Sequence, residues 1–407
     1  MKYFTSLIVF QLARVALLSS LVFCFGSLIS PASAQTDTSP FPQPTELQQG
    51  PPLTNQEFVT LINQLPKHPE LRSKIVDDVR KRGIDFPLTE GLRSLVATKS
   101  GNDADLRHAL DEAERRRANP TVAILPPVAE ATELLERTRK ATLGAADRMP
   151  DFLVKQQIVR YIAYGNSQNW QPTDHLTIAV SYRQSAGEQY KLLSINGMPQ
   201  EEAQERSTYG DKLGGATSTG EYVSILAELF KPETQTEFQV LDTEEVRGRP
   251  TIVYEYAVRK ESSHQGLRWE EPPKREVVVG YRGRIWVDRE TNRVLRLEDI
   301  SVEIPPDFPI TAAANIIDYN WVTINEQSHL LPSRAVVQLT TRVGSQVVQS
   351  RNDILFRGYR KFGAEVKITD IDEKDFPPDK PEETETRPAT PPVLRPQPKK
   401  PLLQNPD

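Results

Sequence analysis

Residues 283–298 read GRIWVDRETNRVLRLE, and this stretch decides the fold. Ile285 and Val287 alternate with Arg284 and Asp288, so apolar side chains fall on one face and polar ones on the other. This period of two is typical of a β-strand with one face in water. The polar run at 290–293 indicates a turn, after which the apolar residues resume. The stretch therefore predicts two antiparallel strands.

The same period of two recurs between about Phe152 and Ile368. It is clearest in five runs, at 176–183, 252–258, 277–288, 317–321 and 335–342. Turn signals rich in glycine, asparagine and proline separate these runs. We therefore expect an antiparallel sheet of about nine to eleven strands with one wet face.

One segment inside this region has the period of a helix. Residues 221–231 place apolar side chains at helical spacing, after a run of glycines and small polar residues at 214–220. Leu226 and Phe230 are four residues apart and therefore share one face of that helix. A helix inserted between strands can cover the apolar face of an open sheet, so we predict that it is a lid.

Residues 1–34 have the features of a cleavable signal peptide. Lys2 and Arg14 precede an uncharged, mostly apolar run at 15–29, and Ala32-Ser-Ala34 supplies the small residues that signal peptidase accepts. The apolar run is shorter than the roughly 20 residues of a spanning helix, which makes an uncleaved anchor the less favoured alternative. Cleavage near Ala34/Gln35 predicts a protein of the periplasm or the extracellular space.

The rest of the chain divides by composition. We predict a linker at 35–52, a small helical module at 53–118, a second linker at 119–128, a sheet domain at 129–369 that opens with an amphipathic helix, and a proline-rich disordered tail at 370–407. Three aspartates at 370, 372 and 375 resemble part of a calcium loop, but the glycine and the closing glutamate of such a loop are missing.

The helical module shows a clear start signal. Thr54 and Glu57 have the spacing of a capping box, which satisfies free backbone donors in the first turn of a helix. Residues 82–89 read RGIDFPLT and resemble a short helical element that precedes diverse domains in exported and signalling proteins, notably of Acidobacteria. That resemblance implies no chemistry, and we expect Ile84, Phe86 and Leu88 to plug the core of the module.

Composition and motifs argue against several classes of function. Cys24 is the single cysteine and lies in the signal peptide, so the mature chain has no disulfide and no thiolate site. The net charge of −5 is unlike that of a nucleic-acid-binding protein. The sequence has no G-x-S-x-G, no phosphate-binding glycine loop and no H-E-x-x-H. Its five histidines are scattered, at positions 68, 108, 175, 264 and 329. We therefore predict a protein that is not an enzyme and that binds no metal or cofactor.

The hairpin at 283–298 resembles the hairpin of LolA-like, lipoprotein-sorting-type proteins. Residues 356–363, FRGYRKFG, are similar to the C-terminal strand and turn of the same group. The resemblance covers about residues 129–368 and implies an α+β fold, an open antiparallel β half-barrel with capping helices and an apolar cavity for acyl chains. The helical module and the proline-rich tail depart from that pattern, and no arginine here matches the functional arginine of the family.

Two functional hypotheses follow. In the first, the protein is a periplasmic carrier or chaperone-like protein that binds a hydrophobic ligand, either an acyl chain, a lipid or a lipoprotein. The ligand would contact the lid and the apolar face of the sheet, at Leu226, Phe230, Tyr254, Tyr256, Tyr319 and Trp321. In the second, the same residues form a filled core, and the protein is a non-catalytic scaffold or sensor that contacts other envelope proteins. Peripheral contact with a membrane fits either hypothesis.

Overall fold

The computed structural model describes residues 50–101, 103–120, 125–165, 169–200, 224–363 and 367–376. The predicted signal peptide, the glycine-rich run before the lid and most of the tail lie outside these residues. The chain divides into two units after Pro377, and every described residue belongs to the first unit. None of the described helices combines the length and the apolar composition that a membrane crossing needs.

The N-terminal module consists of four helices. They are α1 (Asn55–Gln64), α2 (Leu71–Arg82), α3 (Glu90–Ser100) and α4 (Ala104–Ala118). The predicted start of α1 is confirmed, since the Thr54 hydroxyl accepts a hydrogen bond from the Glu57 amide at 3.2 Å. Side chains of Thr89 and Asp103 cap α3 and α4 in the same way.

The apolar core of this module is self-contained. Its members are Leu53, Phe58, Ile62, Leu65, Ile75, Val76, Val79, Ile84, Phe86, Leu88, Val96, Leu106, Ala109, Leu110 and Ala113. Ile84, Phe86 and Leu88 are all buried in it, as predicted. Among the described residues, no side chain of the sheet belongs to this cluster, so the module does not share its apolar core with the rest of the protein.

The remaining chain forms a large antiparallel sheet. Its strands are β1 (Phe152–Tyr164), β2 (Gln171–Arg183), β3 (Gly187–Ile195), β4 (Met198–Pro199), β5 (Glu237–Val246), β6 (Arg249–Val258), β9 (Gly280–Asp288), β10 (Val294–Val302), β11 (Ile310–Ile324), β12 (Gln327–Val343) and β13 (Gln346–Lys361). Their order is β4-β3-β2-β1-β13-β12-β11-β10-β9-β6-β5. Among the described residues the sheet has eleven strands and stays open, with edges at β4 and β5, which confirms the predicted α+β class and open architecture.

A second, two-stranded sheet lies between β6 and β9 in the chain. It pairs β7 (Gly266–Trp269) with β8 (Arg275–Val278). Each strand has four residues. The alternation at 277–288 is one run in the sequence, but the structure divides it, with Val277 in β8 and the residues from Gly280 onward in β9. Leu267 of β7 is buried with Phe308, Ile310 and Ala313, so this hairpin packs against the start of β11.

Two helices cover one face of the large sheet, which we call the inner face. They are α5 (Val128–Ala146) and α6 (Ser224–Phe230), the second being the described part of the predicted lid. Ala131 and Leu134 of α5 and Leu229 and Phe230 of α6 are buried in one cluster with inward side chains of β1, β2, β6 and β9–β13. This cluster is the main core of the protein, and it contains most of the predicted ligand-binding residues.

The opposite, outer face is covered in part by the segment 367–376. Ile368, Ile371 and Phe376 are buried there with Leu153 of β1 and Leu193 of β3. The ordered chain therefore continues past Asp370, where the sequence predicted the tail to begin, because these three apolar side chains have a sheet to pack against.

Lys191 lies beside the aspartates that resemble part of a calcium loop. The buried Lys191 ammonium donates to the carbonyl oxygens of Thr369 at 2.8 Å and Ile371 at 2.6 Å, and lies 3.6 Å from Asp372 Oδ1. The described residues contain no group of three or more histidine, cysteine, aspartate or glutamate side chains that could hold a metal ion.

Candidate ligand-binding site

Four of the six predicted ligand-binding residues lie together in the main core. Phe230, Tyr254, Tyr256 and Tyr319 are each only 1% exposed. They come from α6, β6 and β11, so the sheet order and the lid bring together residues that are far apart in sequence. In this structure they are covered, and a ligand could reach them only if the cover moved.

The aromatic rings form a continuous path beneath α6. Phe230 stacks on Phe238 of β5, with ring centroids 5.5 Å apart and planes 13° from parallel. Phe238 contacts Tyr256 at 6.3 Å, and Tyr256 meets Tyr281 of β9 edge-on at 6.2 Å. Such offset and edge-to-face pairs stabilise the packed state beyond the area that they bury.

Hydrogen bonds hold α6 near its C-terminal end. The hydroxyls of Thr234 and Thr236, which follow the helix, donate to the carbonyl oxygens of Glu228 and Leu229, each at 2.7 Å. The Glu228 carboxylate binds Lys231 at 2.7 Å and His264 at 2.5 Å. His264 precedes β7, so α6 is tied to the loop beside the small hairpin as well as to β5.

The hydroxyls of Tyr254 and Tyr256 donate to backbone carbonyls. Tyr254 donates to Ala131 of α5 at 2.7 Å, which links the sheet to that helix. Tyr256 donates to Glu298 of β10 at 2.8 Å. Burial raises the pKa of both phenols, so both remain neutral donors. The hydrogen bonds of these two hydroxyls hold the tyrosine rings in place.

A glycine makes the second of these bonds possible. Tyr256 pairs with Gly283 of β9, and Gly283 pairs with Asp299 of β10, so the phenol crosses over the glycine to reach the next strand. A Cβ atom at Gly283 would lie 1.8 Å from the Glu298 carbonyl oxygen and 2.8 Å from the Tyr256 hydroxyl. This is the first residue of the stretch 283–298, and it is a glycine because of this close approach.

The other two predicted residues are placed differently. Leu226 is half-buried and packs against the margin of the main core. Trp321 is half-buried and is not among the described side chains that pack against that core. Val322 and Ile324 pack against the core instead. The side chains of β11 that point to the inner face are therefore odd-numbered up to Tyr319 and even-numbered from Val322. This change lies next to an irregularity in the pairing of β11 with β12. One such shift moves every later side chain to the other face.

The structure adds a buried carboxylate that the sequence analysis missed. Asp299 is 4% exposed and lies beneath Tyr256, where its Oδ2 accepts from Gln265 Nε2 at 3.0 Å and Asn315 Nδ2 at 3.4 Å. Its Oδ1 has no hydrogen-bond partner among the described residues. Burial raises the pKa of Asp299 to about 6, against the opposing effect of the amide donors. The sequence signal that could have indicated its burial is its position two residues after Leu297, because residues two apart on a strand point to the same face.

This raised pKa predicts that Asp299 lowers the stability of the fold at neutral pH. Because the folded state holds the proton more tightly than the unfolded state, ionisation costs stability as the pH rises from 3.8 through about 6. Asp299→Asn should therefore gain stability over the unaltered protein by about 2–3 kcal/mol between pH 4 and pH 7. Urea unfolding of both proteins at a series of pH values measures this difference.

The control for this prediction is Asp307→Asn. Arg275 holds the pKa of the exposed Asp307 carboxyl below its ordinary value, so this carboxylate stabilises the fold when ionised. The control should therefore lose stability relative to the unaltered protein as the pH rises, which is the opposite sign. A stability difference for Asp299→Asn that does not change with pH would contradict the assigned ionisation.

The histidines do not gather into a site among the described residues. His68 pairs with Glu70 at the surface, His108 with Glu244 and His264 with Glu228, and no two of the five share a partner. An open depression of about 380 Å³ lies along α1, lined by Thr54, Gln56, Glu57, Thr60 and Leu61. It contains none of the predicted ligand-binding residues and has no buried polar group converging on it.

Comparison with known proteins gives no family for this chain. No family description matches the sequence, and no curated protein matches it. Among solved structures, the chain is similar to a DUF1329 family protein from Desulfovibrio piger, with 10% identity, 58% of this chain and 98% of that chain covered, and a TM-score of 0.26.

Two further solved structures show a similar degree of likeness. One is described as an outer membrane lipoprotein-sorting protein domain from Vibrio parahaemolyticus, with 10% identity, 60% and 94% covered, and a TM-score of 0.25. The other is the MucA/MucB complex of Pseudomonas aeruginosa, with 12% identity, 55% and 93% covered, and a TM-score of 0.15. TM-scores this low support no inference about the present chain, and the LolA-like family stays a prediction from the hairpin.

Proposed function

We propose that the protein is a non-catalytic carrier of the cell envelope that binds a long apolar chain, such as the acyl chain of a lipid or lipoprotein, on the inner face of its sheet. The observation that carries the proposal is the aromatic path from Phe230 to Tyr281, which is covered by the described part of α6, residues 224–230. Displacement of α6 would open this path to a ligand. The signal peptide predicted at 1–34 agrees with such a role.

The energies decide which ligands could displace α6. Burial of Leu229 and Phe230 holds the helix with about 1.5–3 kcal/mol for each side chain. Association costs about 4 kcal/mol or more in lost freedom. An acyl chain gains about 0.8 kcal/mol for each methylene that it buries, so a chain of about eight methylenes cannot cover both costs and a chain of about fifteen can. The proposal therefore requires a long chain.

A chain-length series tests this proposal. A fluorescent long-chain fatty acid is bound to the purified protein and then displaced with octanoate, dodecanoate or palmitate. We expect saturable binding of the probe, displacement by palmitate and little displacement by octanoate. Absence of saturable binding would reject the carrier, and equal displacement by all three would reject a site that measures chain length. Mass spectrometry of lipids that co-purify with the protein would identify the natural ligand class.

The second candidate is a scaffold or sensor protein with a filled core. The near-complete burial of Phe230, Tyr254, Tyr256 and Tyr319 favours it, since these side chains already fill the space between sheet and helices. Under this alternative the inner face only stabilises the fold, and partners bind elsewhere on the molecule. The same series distinguishes the two, because a filled core takes up no probe of any length.

A further inference from the structure

One edge of the large sheet is closed by side chains instead of by a strand. β5 is the last strand in the order, so half of its backbone groups point away from its neighbour β6. Arg115 Nη2 donates to the Thr243 carbonyl oxygen at 2.9 Å, and the Glu245 amide donates to Glu112 Oε1 at 3.3 Å. The Thr243 amide donates to Oδ1 of the preceding residue, Asp242, at 2.7 Å.

The two residues that close the edge come from one turn of α4. Arg115 Nε also donates to Glu112 Oε2 at 2.8 Å, so the guanidinium and the carboxylate stand side by side. Arg115 supplies a donor to the Thr243 carbonyl, and Glu112 supplies an acceptor to the Glu245 amide, two residues further along β5. A neighbouring β-strand offers the same donor and acceptor to an edge. The ion pair of α4 therefore occupies the place of a missing strand.

The other contacts between α4 and this end of the sheet are also polar. His108 Nε2 lies 3.1 Å from Glu244 Oε2, which also accepts from Trp286 Nε1 at 2.7 Å. Arg116 Nη2 lies 2.6 Å from Asp242 Oδ2. As described above, the apolar core of the helical module contains no side chain of the sheet. The module is thus held at this edge by hydrogen bonds and ion pairs that can be exchanged for others.

Burial of charge makes this contact costly as well as specific. Glu112 is 5% exposed, and burial raises the pKa of this group and of Asp242. Burial also opposes ionisation of Glu244, but the hydrogen bond and charge of His108 hold its pKa at about 2. Buried ion pairs of this kind contribute little net stability while they fix a geometry. Undocking of α4 would return these groups to water and leave the apolar core of the module intact.

We propose that helix α4 is a removable cap on the edge of β5, and that a basic, extended peptide segment of a partner protein replaces it by pairing with β5 as an added strand. Main-chain hydrogen bonds give such a pairing its affinity, and side chains give its specificity. β5 carries four acidic side chains, at 237, 242, 244 and 245. Helix α4 contacts two of them, with Arg116 at Asp242 and His108 at Glu244, and Arg115 adds a third basic side chain at the Thr243 carbonyl. A replacement strand needs the same positive charge.

The chain's own C-terminal tail does not meet this requirement. Residues 377–407 are rich in proline, which lacks the amide hydrogen that a sheet ladder needs. The partner strand therefore comes from another protein. Helix α4 contacts β5 at residues 242–245, whereas the ligand path under α6 meets the same strand at Phe238, so the proposal rests on other residues and does not depend on the carrier function.

Binding of a labelled peptide tests the proposal in the full-length mature protein. The probe alternates threonine and lysine and is as long as β5. The cap is removed by Glu112→Ala with Arg115→Ala, and fluorescence anisotropy measures the dissociation constant. We expect the double variant to bind the probe at least about tenfold more tightly than the unaltered protein, since the two hydrogen bonds from Arg115 and Glu112 to β5 no longer compete.

The same helix offers a matched control. Glu114 and Arg117 form an ion pair of the same types at the same spacing, with Arg117 Nε donating to Glu114 Oε2 at 2.8 Å inside the module. Glu114→Ala with Arg117→Ala changes charge and helix composition equally, and its affinity for the probe should match that of the unaltered protein. If the cap double variant does not fold, as judged by circular dichroism, Arg115→Gln takes its place with the same expected direction.

A second peptide separates strand pairing from attraction of charge. In it, proline replaces each threonine, so the charge stays the same and half of the amide donors are lost. We expect this peptide to bind all variants weakly. The proposal is overturned if the capped and uncapped proteins bind the first peptide equally, or if the uncapped protein binds both peptides equally.

Discussion

Replacing Gly283 with alanine is expected to prevent stable folding of the sheet. The added Cβ would lie 1.8 Å from the carbonyl oxygen and 2.7 Å from the carbonyl carbon of Glu298, both of them backbone atoms that no side-chain rotation can move. Strands β9 and β10 would have to separate, and Tyr256 would lose its hydrogen bond to that carbonyl. We expect a loss in the free energy of unfolding of more than about 4 kcal/mol, measured by urea denaturation.

A second glycine provides the control for this variant. Gly144 lies in α5, where a Cβ would meet only the far end of the flexible Arg148 side chain at 3.5 Å. Gly144→Ala should raise stability by about 0.5–1 kcal/mol, since alanine is the better helix former. A Gly283→Ala protein that unfolds at the same urea concentration as the unaltered protein would show that β9 and β10 do not approach as described.

Truncation of Phe230 to alanine is expected to cost about 3–5 kcal/mol of stability, as for other buried phenylalanines. The side chain is 1% exposed and stacks on Phe238, so its removal leaves a cavity under α6. Leu226→Ala on the same helix should cost less, because Leu226 is only half-buried at the margin of the core. Thermal and urea unfolding of both variants measures the difference.

The two α6 variants also separate the roles of a lid and a core helix. If the displaced α6 lies over the bound ligand as a lid, with Leu226 against it, Leu226→Ala should weaken uptake of a fatty-acid probe while stability changes little. Ile300→Ala is the control, because Ile300 is 48% exposed on β10 and should change stability by less than about 0.5 kcal/mol. A Phe230→Ala protein as stable as the unaltered one would contradict the packing of α6, and unchanged uptake in Leu226→Ala would contradict its role as a lid.

Local patterns were sufficient to predict the elements that depend on neighbours in sequence. The alternation in 283–298 gave β9 and β10, and Thr54 gave the start of α1. The helical spacing of Leu226 and Phe230 gave α6. In each case the relevant hydrogen bonds or packing contacts repeat at a spacing that the sequence shows directly.

Features that depend on distant pairing could not be predicted. The contact between α4 and β5 joins residues more than a hundred positions apart, and no local period reports it. The side chain of Trp321 lies outside the main core because the alternation of inward and outward side chains in β11 shifts by one residue after Tyr319. The amino acids around Tyr319 give no signal of this shift. The segment 367–376 contains mostly charged residues, and Ile368, Ile371 and Phe376 are buried because the sheet lies beneath them.

The burial of the aromatic residues under α6 could be predicted from the sequence, whereas the carboxylate buried beside them was missed. Tyr254, Tyr256 and Tyr319 follow from alternation, since apolar residues in phase share the inner face. On β10, Asp299 lies two residues after the inward Leu297 and therefore points to the same inner face. A carboxylate is normally exposed to water, so the sequence pattern alone would assign Asp299 to the outer face. Its burial depends on amide donors from Gln265 and Asn315, which come from other parts of the chain.

Hydrogen exchange of the amides in α6, with and without a bound long-chain fatty acid, tests the carrier function most directly. We expect the fatty acid to bind saturably and the amides of residues 225–230 to exchange faster in its presence, because the ligand displaces the helix from the aromatic path. Amides of β9 and β10 should remain protected and serve as the internal reference. Absence of binding, or binding with exchange in α6 unchanged or slowed, would contradict the claim that the ligand enters under this helix.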